Sequence, residues 1–223
     1  MGSIDWNTHI TALIISTLLF IVGIMTGALL NREKISYLEE TITSLSNTIQ
    51  DVELQILFLD IAGDKISCEY LIGEANKLGD EAGRLGEKVE LYEQNVKLED
   101  TSYKQLKSTY MSILIRDWIT LEKIKSSCAG NYTTVLFFYE QNSVACENQG
   151  AVLSYYKELL GNNIMVFALD YSLNHTTING FVKAFNINRF PSIVVNMETY
   201  EGFKSSAEFK EIICSQGNYT ICN

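Results

Sequence analysis

Proline is almost missing from this chain: Pro191 is the only one. Histidine is nearly as scarce, with only His9 and His175, far apart in the chain. That leaves little material for His-based triads or His-rich metal sites, so no metal or cofactor is expected. No CxxC pair occurs among the five cysteines, which argues against a zinc ribbon and a dithiol redox motif. Basic residues are outnumbered, 17 against 27 acidic, giving a net charge of −10. Such a chain repels phosphate backbones, which excludes nucleic acid as a main partner. Disorder is excluded too, because 47% of the 223 residues are apolar.

Charge is absent over one long stretch. No Asp, Glu, Lys or Arg lies between Asp5 and Arg32, and residues 10–30 are almost all apolar. A helix of that length spans a hydrocarbon core of about 30 Å. A cleaved signal peptide needs a basic start and a shorter apolar run, and residues 1–9 contain no Lys or Arg. The reading is a tail (1–9) and an uncleaved single-pass anchor (10–30). Gly23 and Gly27 form a GxxxG pair inside it. Such a pair lets membrane helices approach closely, although glycine is common in membrane helices anyway. Arg32 and Lys34 after the span favour a cytoplasmic bulk by the positive-inside rule. The cysteines favour an oxidising, extracytoplasmic side, and this is the expected location of the C-terminal domain. Asn131, Asn174 and Asn218 each begin an Asn-x-Thr sequon, at a number chance alone would produce.

Heptads follow the anchor, within a helical region expected over 33–128. Ile35, Leu38, Ile42, Leu45, Ile49, Val52, Ile56 and Leu59 alternate spacings of 3 and 4, with Ile at every a position. After a break at Ala62-Gly63-Asp64, a second seam runs through Leu71, Ala75, Leu78, Ala82, Leu85, Val89, Tyr92 and Val96. A third helix starts at an Asp100-Thr101 cap and carries Leu106, Tyr110, Leu114, Trp118 and Leu121. The simplest product is an antiparallel hairpin extended by the third helix. The competing product is a parallel coiled-coil homodimer through the first seam.

From residue 131 the period changes. TVLFFY (134–139), IMVFALD (164–170) and SIVVN (192–196) read as buried strands, with a short fourth at Tyr200–Phe203. Helical spacing covers 146–160, 177–185 and 206–214. The order β-α-β-α-β-β-α implies parallel central pairing and one hairpin.

Three segments carry a resemblance. They are FFYEQNSVACENQG (137–150), AFNINRFPSIVV (184–195) and Tyr200-Glu201-Gly202-Phe203. Together they resemble the thioredoxin-like core over 131–214, with a C-terminal tail at 215–223. The fold class expected is therefore an α/β thioredoxin-like C-terminal domain behind a transmembrane helix and an α-helical coiled-coil or bundle region. The resemblance puts Pro191 in the cis-proline place and the α-helix start at Ser143-Val144-Ala145-Cys146, where the family has CxxC. Ser143 cannot form a disulfide, so dithiol cycling within the motif is excluded on chemical grounds. Three roles stay open to Cys146: an inert buried cysteine, a catalytic monothiol making mixed disulfides, or a bond to another cysteine of the chain. The resemblance further implies a peptide-binding face at Ser143, Cys146, Phe190 and Pro191, with a protein or extended peptide as partner. If the bundle helices alternate in direction, Cys68 and Cys128 fall at one end and pair; Cys214 and Cys222, eight apart around Gly217, can staple the tail. Free thiols in a reducing compartment are the alternative for all four.

Overall fold

A computed structural model describes residues 6–62, 68–93, 101–128, 130–217 and 219–222. The Gly63-Asp64 break, the Asp100 cap, Val96 and Asn218 lie outside the described residues. So do the side chains of Ile35, Leu38, Leu59 and Tyr92. The chain divides into two compact units, 1–40 and 41–223. Helix α1 (Trp6–Ala62) supplies residues to both.

In the first unit, Ile10–Gly27 is one helix long and apolar enough to cross a membrane. Its side chains face outward, Leu19 and Phe20 by 68% and 70%. Its hydroxyls are used internally: Thr17 donates to Leu13 O at 2.8 Å and Thr26 to Val22 O at 2.8 Å. Both threonine hydroxyl donors are thereby satisfied within the helix.

The second unit begins with three helices. Ile42, Leu45, Ile49, Val52 and Ile56 of α1 are all buried within the unit. Leu71, Ala75, Leu78, Ala82, Leu85 and Val89 of α2 (Cys68–Glu93) are buried as well. Helix α3 (Thr101–Cys128) packs on α2. Arg116 of α3 donates to Glu53 of α1 at 2.8 Å. These two seams thus close within one chain, because each 3-4 stripe can bury its apolar face against the others. A disulfide joins Cys68 at the start of α2 to Cys128 at the end of α3, Cα atoms 5.3 Å apart. It closes a separation of 60 residues and ties the two helices antiparallel. A second bridge, Cys214–Cys222, closes eight residues at the C-terminus. Loop-closure entropy makes the longer bridge the more stabilising one. Replacing Cys68 and Cys128 together by Ala is expected to cost about 2–4 kcal/mol, more than the Cys214/Cys222 double replacement. Urea titration of the full chain in detergent micelles checks the order, and equal losses would refute it.

The sheet contains β1 (Thr133–Tyr139), β2 (Ile164–Asp170), β3 (Ser192–Val195) and β4 (Glu198–Glu201). Their order is β2-β1-β3-β4, with β1/β2 parallel and the other pairs antiparallel. The last strand starts two residues earlier than Tyr200–Phe203. Asn196 and Met197 both take positive φ, 46° and 75°, and turn the chain in two residues. Gly202, at φ +75°, then ends the strand. A left-handed methionine has no sequence signal.

Each face of the sheet is covered. Helices α4 (Val144–Leu160) and α6 (Ser206–Gln216) cover one, packing Leu153, Tyr156, Phe209 and Ile213 on Val135, Phe137, Ile193 and Val195. The opposite face holds α5 (Thr176–Ala184). There the ring of Trp118, from α3, meets Phe181 at 5.4 Å and Phe185 at 6.3 Å. Helix α3 is further bound to the sheet region by Tyr132 Oη to Leu121 O at 2.6 Å and Lys125 Nζ to Asn196 at 2.6 Å. The 33–128 helices and residues 131–214 read from the sequence therefore share one compact unit from residue 41 onward, with α3 as a layer of the α/β part.

Candidate functional site

The site is built where β1 ends and α4 begins. After Tyr139 the chain turns through Glu140–Asn142, with Asn142 at φ +58°. Ser143 is the N-cap of α4: its side chain accepts from Cys146 N at 3.4 Å. Its carbonyl accepts the first helical bond, from Glu147 N at 3.0 Å. Serine is a strong N-cap because its oxygen satisfies an orphan amide. Ser143 therefore has a structural task at the start of α4.

Cys146 sits in the first turn of α4 and is 4% exposed. It lies in the apolar cluster with Phe137, Leu153 and Tyr156, against which Tyr139 and Phe190 also pack. Glu140 N–H donates to its Sγ at 3.5 Å. The other four cysteines are paired, so Cys146 is the free cysteine and no thiol of this chain is left to bond it. The intrachain-bond role is thereby removed.

Phe190 and Pro191 arrive from the α5–β3 turn. The peptide bond between them is cis. Pro191 is buried, and its carbonyl accepts from Gly202 N at 2.8 Å. Phe190 is half-buried and stacks on Tyr171, ring centroids 4.5 Å apart. No hydrogen bond of the Phe190 peptide groups is found among the described residues. Cys146 and Phe190 thus border one apolar cluster, while Ser143 is tied to Cys146 through the backbone.

A charged network behind the loop escaped the sequence reading. Lys107 of α3 is 1% exposed, with Nζ 2.7 Å from both Asp170 and Glu93. Gln141 Nε2 donates to Asp170 at 2.8 Å and to Glu93 at 3.0 Å, and its backbone N–H donates to Ser172 at 2.9 Å. The Lys107 ammonium lies 5.8 Å from the Tyr139 ring centroid. Burial, then the negative charges of Asp170 and Glu93, push the Tyr139 phenol well above its usual range. The network fastens α2, α3 and β2 to the loop that leads into Ser143. Its sequence signal was faint: a lysine beside Leu106 on an apolar face, and an aspartate closing the run IMVFALD.

The hydrogen bonds of His175 give it a capping role. Its Nδ1 accepts from Thr177 N at 3.3 Å, capping α5. Its Nε2 lies 3.0 Å from Ser112 Oγ, and with Nδ1 accepting, the neutral ring would donate there. Ser112 in turn donates to Ser108 O at 3.2 Å. Among the described residues, no group of three or more His, Cys, Asp or Glu is placed to hold a metal ion.

The order β-α-β-α-β-β-α, with one parallel pair and a closing hairpin, is the one expected from the sequence for residues 131–214. No protein-family model matches the sequence, and no curated protein matches it. Solved structures similar to the chain include one titled as the structure of a malarial protein, 21% identical over 38% of this chain and 97% of that one, TM-score 0.33. Thioredoxin-2, titled a component of the malaria parasite protein secretion machinery, is 20% identical over 38% of this chain and 84% of its own, TM-score 0.34. Chloroplastic thioredoxin z is 18% identical over 41% and 83%, TM-score 0.34.

Proposed function

We propose that the chain is a membrane-anchored, thioredoxin-like protein whose C-terminal domain binds a protein partner or extended peptide without catalysing thiol exchange. The supporting observation is Ser143. It caps α4 and accepts from Cys146 N, so the place of an attacking thiol holds a helix cap. In the thioredoxin-like proteins that residues 131–214 resemble, the residue before the cis-proline offers its backbone to an extended peptide. Phe190 occupies that position here with its peptide groups unengaged among the described residues. Residues 10–30 are the anchor in this reading, and the two disulfides favour an extracytoplasmic domain.

A second reading has one observation behind it. Glu140 N–H donates to Cys146 Sγ at 3.5 Å in the first turn of α4, so the sulfur stands at a helix start. In that reading Cys146 acts alone in mixed disulfides. One experiment separates the two, using the full chain in detergent micelles and a fluorescent, cysteine-free extended peptide. The binding reading expects Phe190→Ala to weaken the peptide by about tenfold, the ordinary weight of an aromatic anchor. It expects Cys146→Ser to leave affinity unchanged. Turnover of a disulfide substrate that disappears in Cys146→Ser would overturn it.

A further inference from the structure

We propose that the outer edge of β2 is a second docking surface, one that accepts an extended basic segment as an added β-strand. The argument starts from hydrogen-bond phase. Thr134 turns its carbonyl toward β3, where Asn196 N–H donates to it at 3.1 Å. Alternation along β1 then turns the peptide groups of Val135 and Phe137 toward β2. With Val135 opposite Val166 in parallel register, their partners are Met165, Phe167 and Leu169. The peptide groups of Val166 and Ala168 consequently point away from the sheet. Asp170 is in the same phase, and its N–H does leave the sheet, for Met111 Sδ at 3.5 Å. Ile164 N–H is likewise used outside it, by Gly161 O. No hydrogen bond to the outward groups of Val166 and Ala168 is found among the described residues.

Edges of this kind are normally blunted by charge, proline or a covering element. Here α2 approaches but leaves room. A groove of about 480 Å³ runs between α2 and α4 with Ile164–Phe167 along its floor. On the α2 wall, Gly79 lets the Met165 side chain approach closely, and Lys157 reaches over Gly83, which lies just outside the groove. Val166 and Ala168 are each only half-buried.

Charge chooses the occupant. Asp80, Glu87 and Glu158 line the groove and are exposed; Lys157 is the one basic residue lining it among the described residues. None of the three carboxylates is in an ion pair among the described residues. Main-chain pairing supplies affinity for an added strand, and flanking side chains supply its selectivity. An extended segment with Lys or Arg on alternate positions meets both requirements. This surface lies on a different strand from Phe190–Pro191 and does not rest on the function proposed above.

The test uses the full chain in detergent micelles and a fluorescent seven-residue peptide alternating valine with lysine. Saturable binding that weakens with added salt is expected. Hydrogen exchange should show new protection at the Val166 and Ala168 amides. Asp80→Lys with Glu158→Lys, both at exposed positions, should weaken binding by about tenfold, whereas Phe190→Ala should leave it unchanged. Methylating alternate peptide nitrogens of the probe on its pairing edge should abolish binding. Undiminished binding of the methylated probe would overturn the proposal, as would no saturable binding. Protection at Val166 that appears without peptide and grows with protein concentration would also overturn it, since a second copy would then hold the edge.

Discussion

Lys107→Met is expected to destabilise the second unit by about 3–5 kcal/mol, the cost of stranding a buried charge. Asp170 is fully buried and Glu93 is 23% exposed; both rely on the Lys107 ammonium, 2.7 Å from each. Methionine matches the stem of lysine but supplies no charge. Asp170 would keep Gln141 Nε2 at 2.8 Å and Ser172 N at 2.9 Å, neither of which is cationic. Two carboxylates would then share one site with no cation between them. Replacing Asp170 by Leu in the same chain should recover much of the loss, because well-packed apolar groups often match a buried pair. Urea unfolding followed by Trp118 fluorescence reads the outcome, since that ring reports the α3–α5 contact. A loss below about 1 kcal/mol would show that the network is not holding the sheet to α3.

Asp117→Asn should have the opposite sign. Asp117 is fully buried in α3, and neither oxygen finds a hydrogen-bond donor among the described residues. Burial, and then the charge of Glu81, raise its carboxyl from 3.8 to about 7. The native state therefore keeps a proton that the unfolded chain releases between those values. Stability contributed by this group is complete below the unfolded pKa and is lost as pH rises through the folded one. The slope is about 1.4 kcal/mol per pH unit, so the loss by neutral pH is on the order of 4 kcal/mol. Above about 7 the curve flattens. Asn carries no such proton. Its variant should therefore lack the decline and be a few kcal/mol more stable than the natural chain at pH 8. Parallel curves for the two proteins from pH 5 to 8 would refute the assignment. Tyr110 and Tyr132 face the same carboxylate; burial first, and charge after it, raise each phenol.

Both effects come from α3, whose chemistry was poorly legible. Its apolar positions Leu106, Tyr110, Leu114, Trp118 and Leu121 gave a helix with one buried face. In the structure Met111, Ile113, Ile115 and Ile124 are buried too, along with Lys107, Asp117 and Thr120. A helix buried on several sides loses the amphipathic signature by which a stripe is recognised. The boundary drawn at residue 131 followed the change of period, which reports local conformation and not which layers share a core. At the candidate site, Ser143, Cys146, Phe190 and Pro191 were singled out because the segments around them resemble the thioredoxin-like core. Gln141 and Asp170 were not, since their roles exist only once α3 lies behind the loop.

The amino-acid sequence determined what depends on near neighbours. An uncharged stretch sets the length of the apolar helix, 3-4 spacing sets the faces of α1 and α2, and apolar runs set β1 to β3. Serine three residues before Cys146 set the cap. Tertiary structure alone decided the rest. It placed Trp118 against Phe181 and Phe185, brought Lys107 to Asp170 across 63 residues, sealed Cys146 under Phe137 and Phe190, and left β2 at the edge. Those outcomes depend on register and layer order between distant segments. Local spacing constrains which face a segment buries, but not what it is buried against.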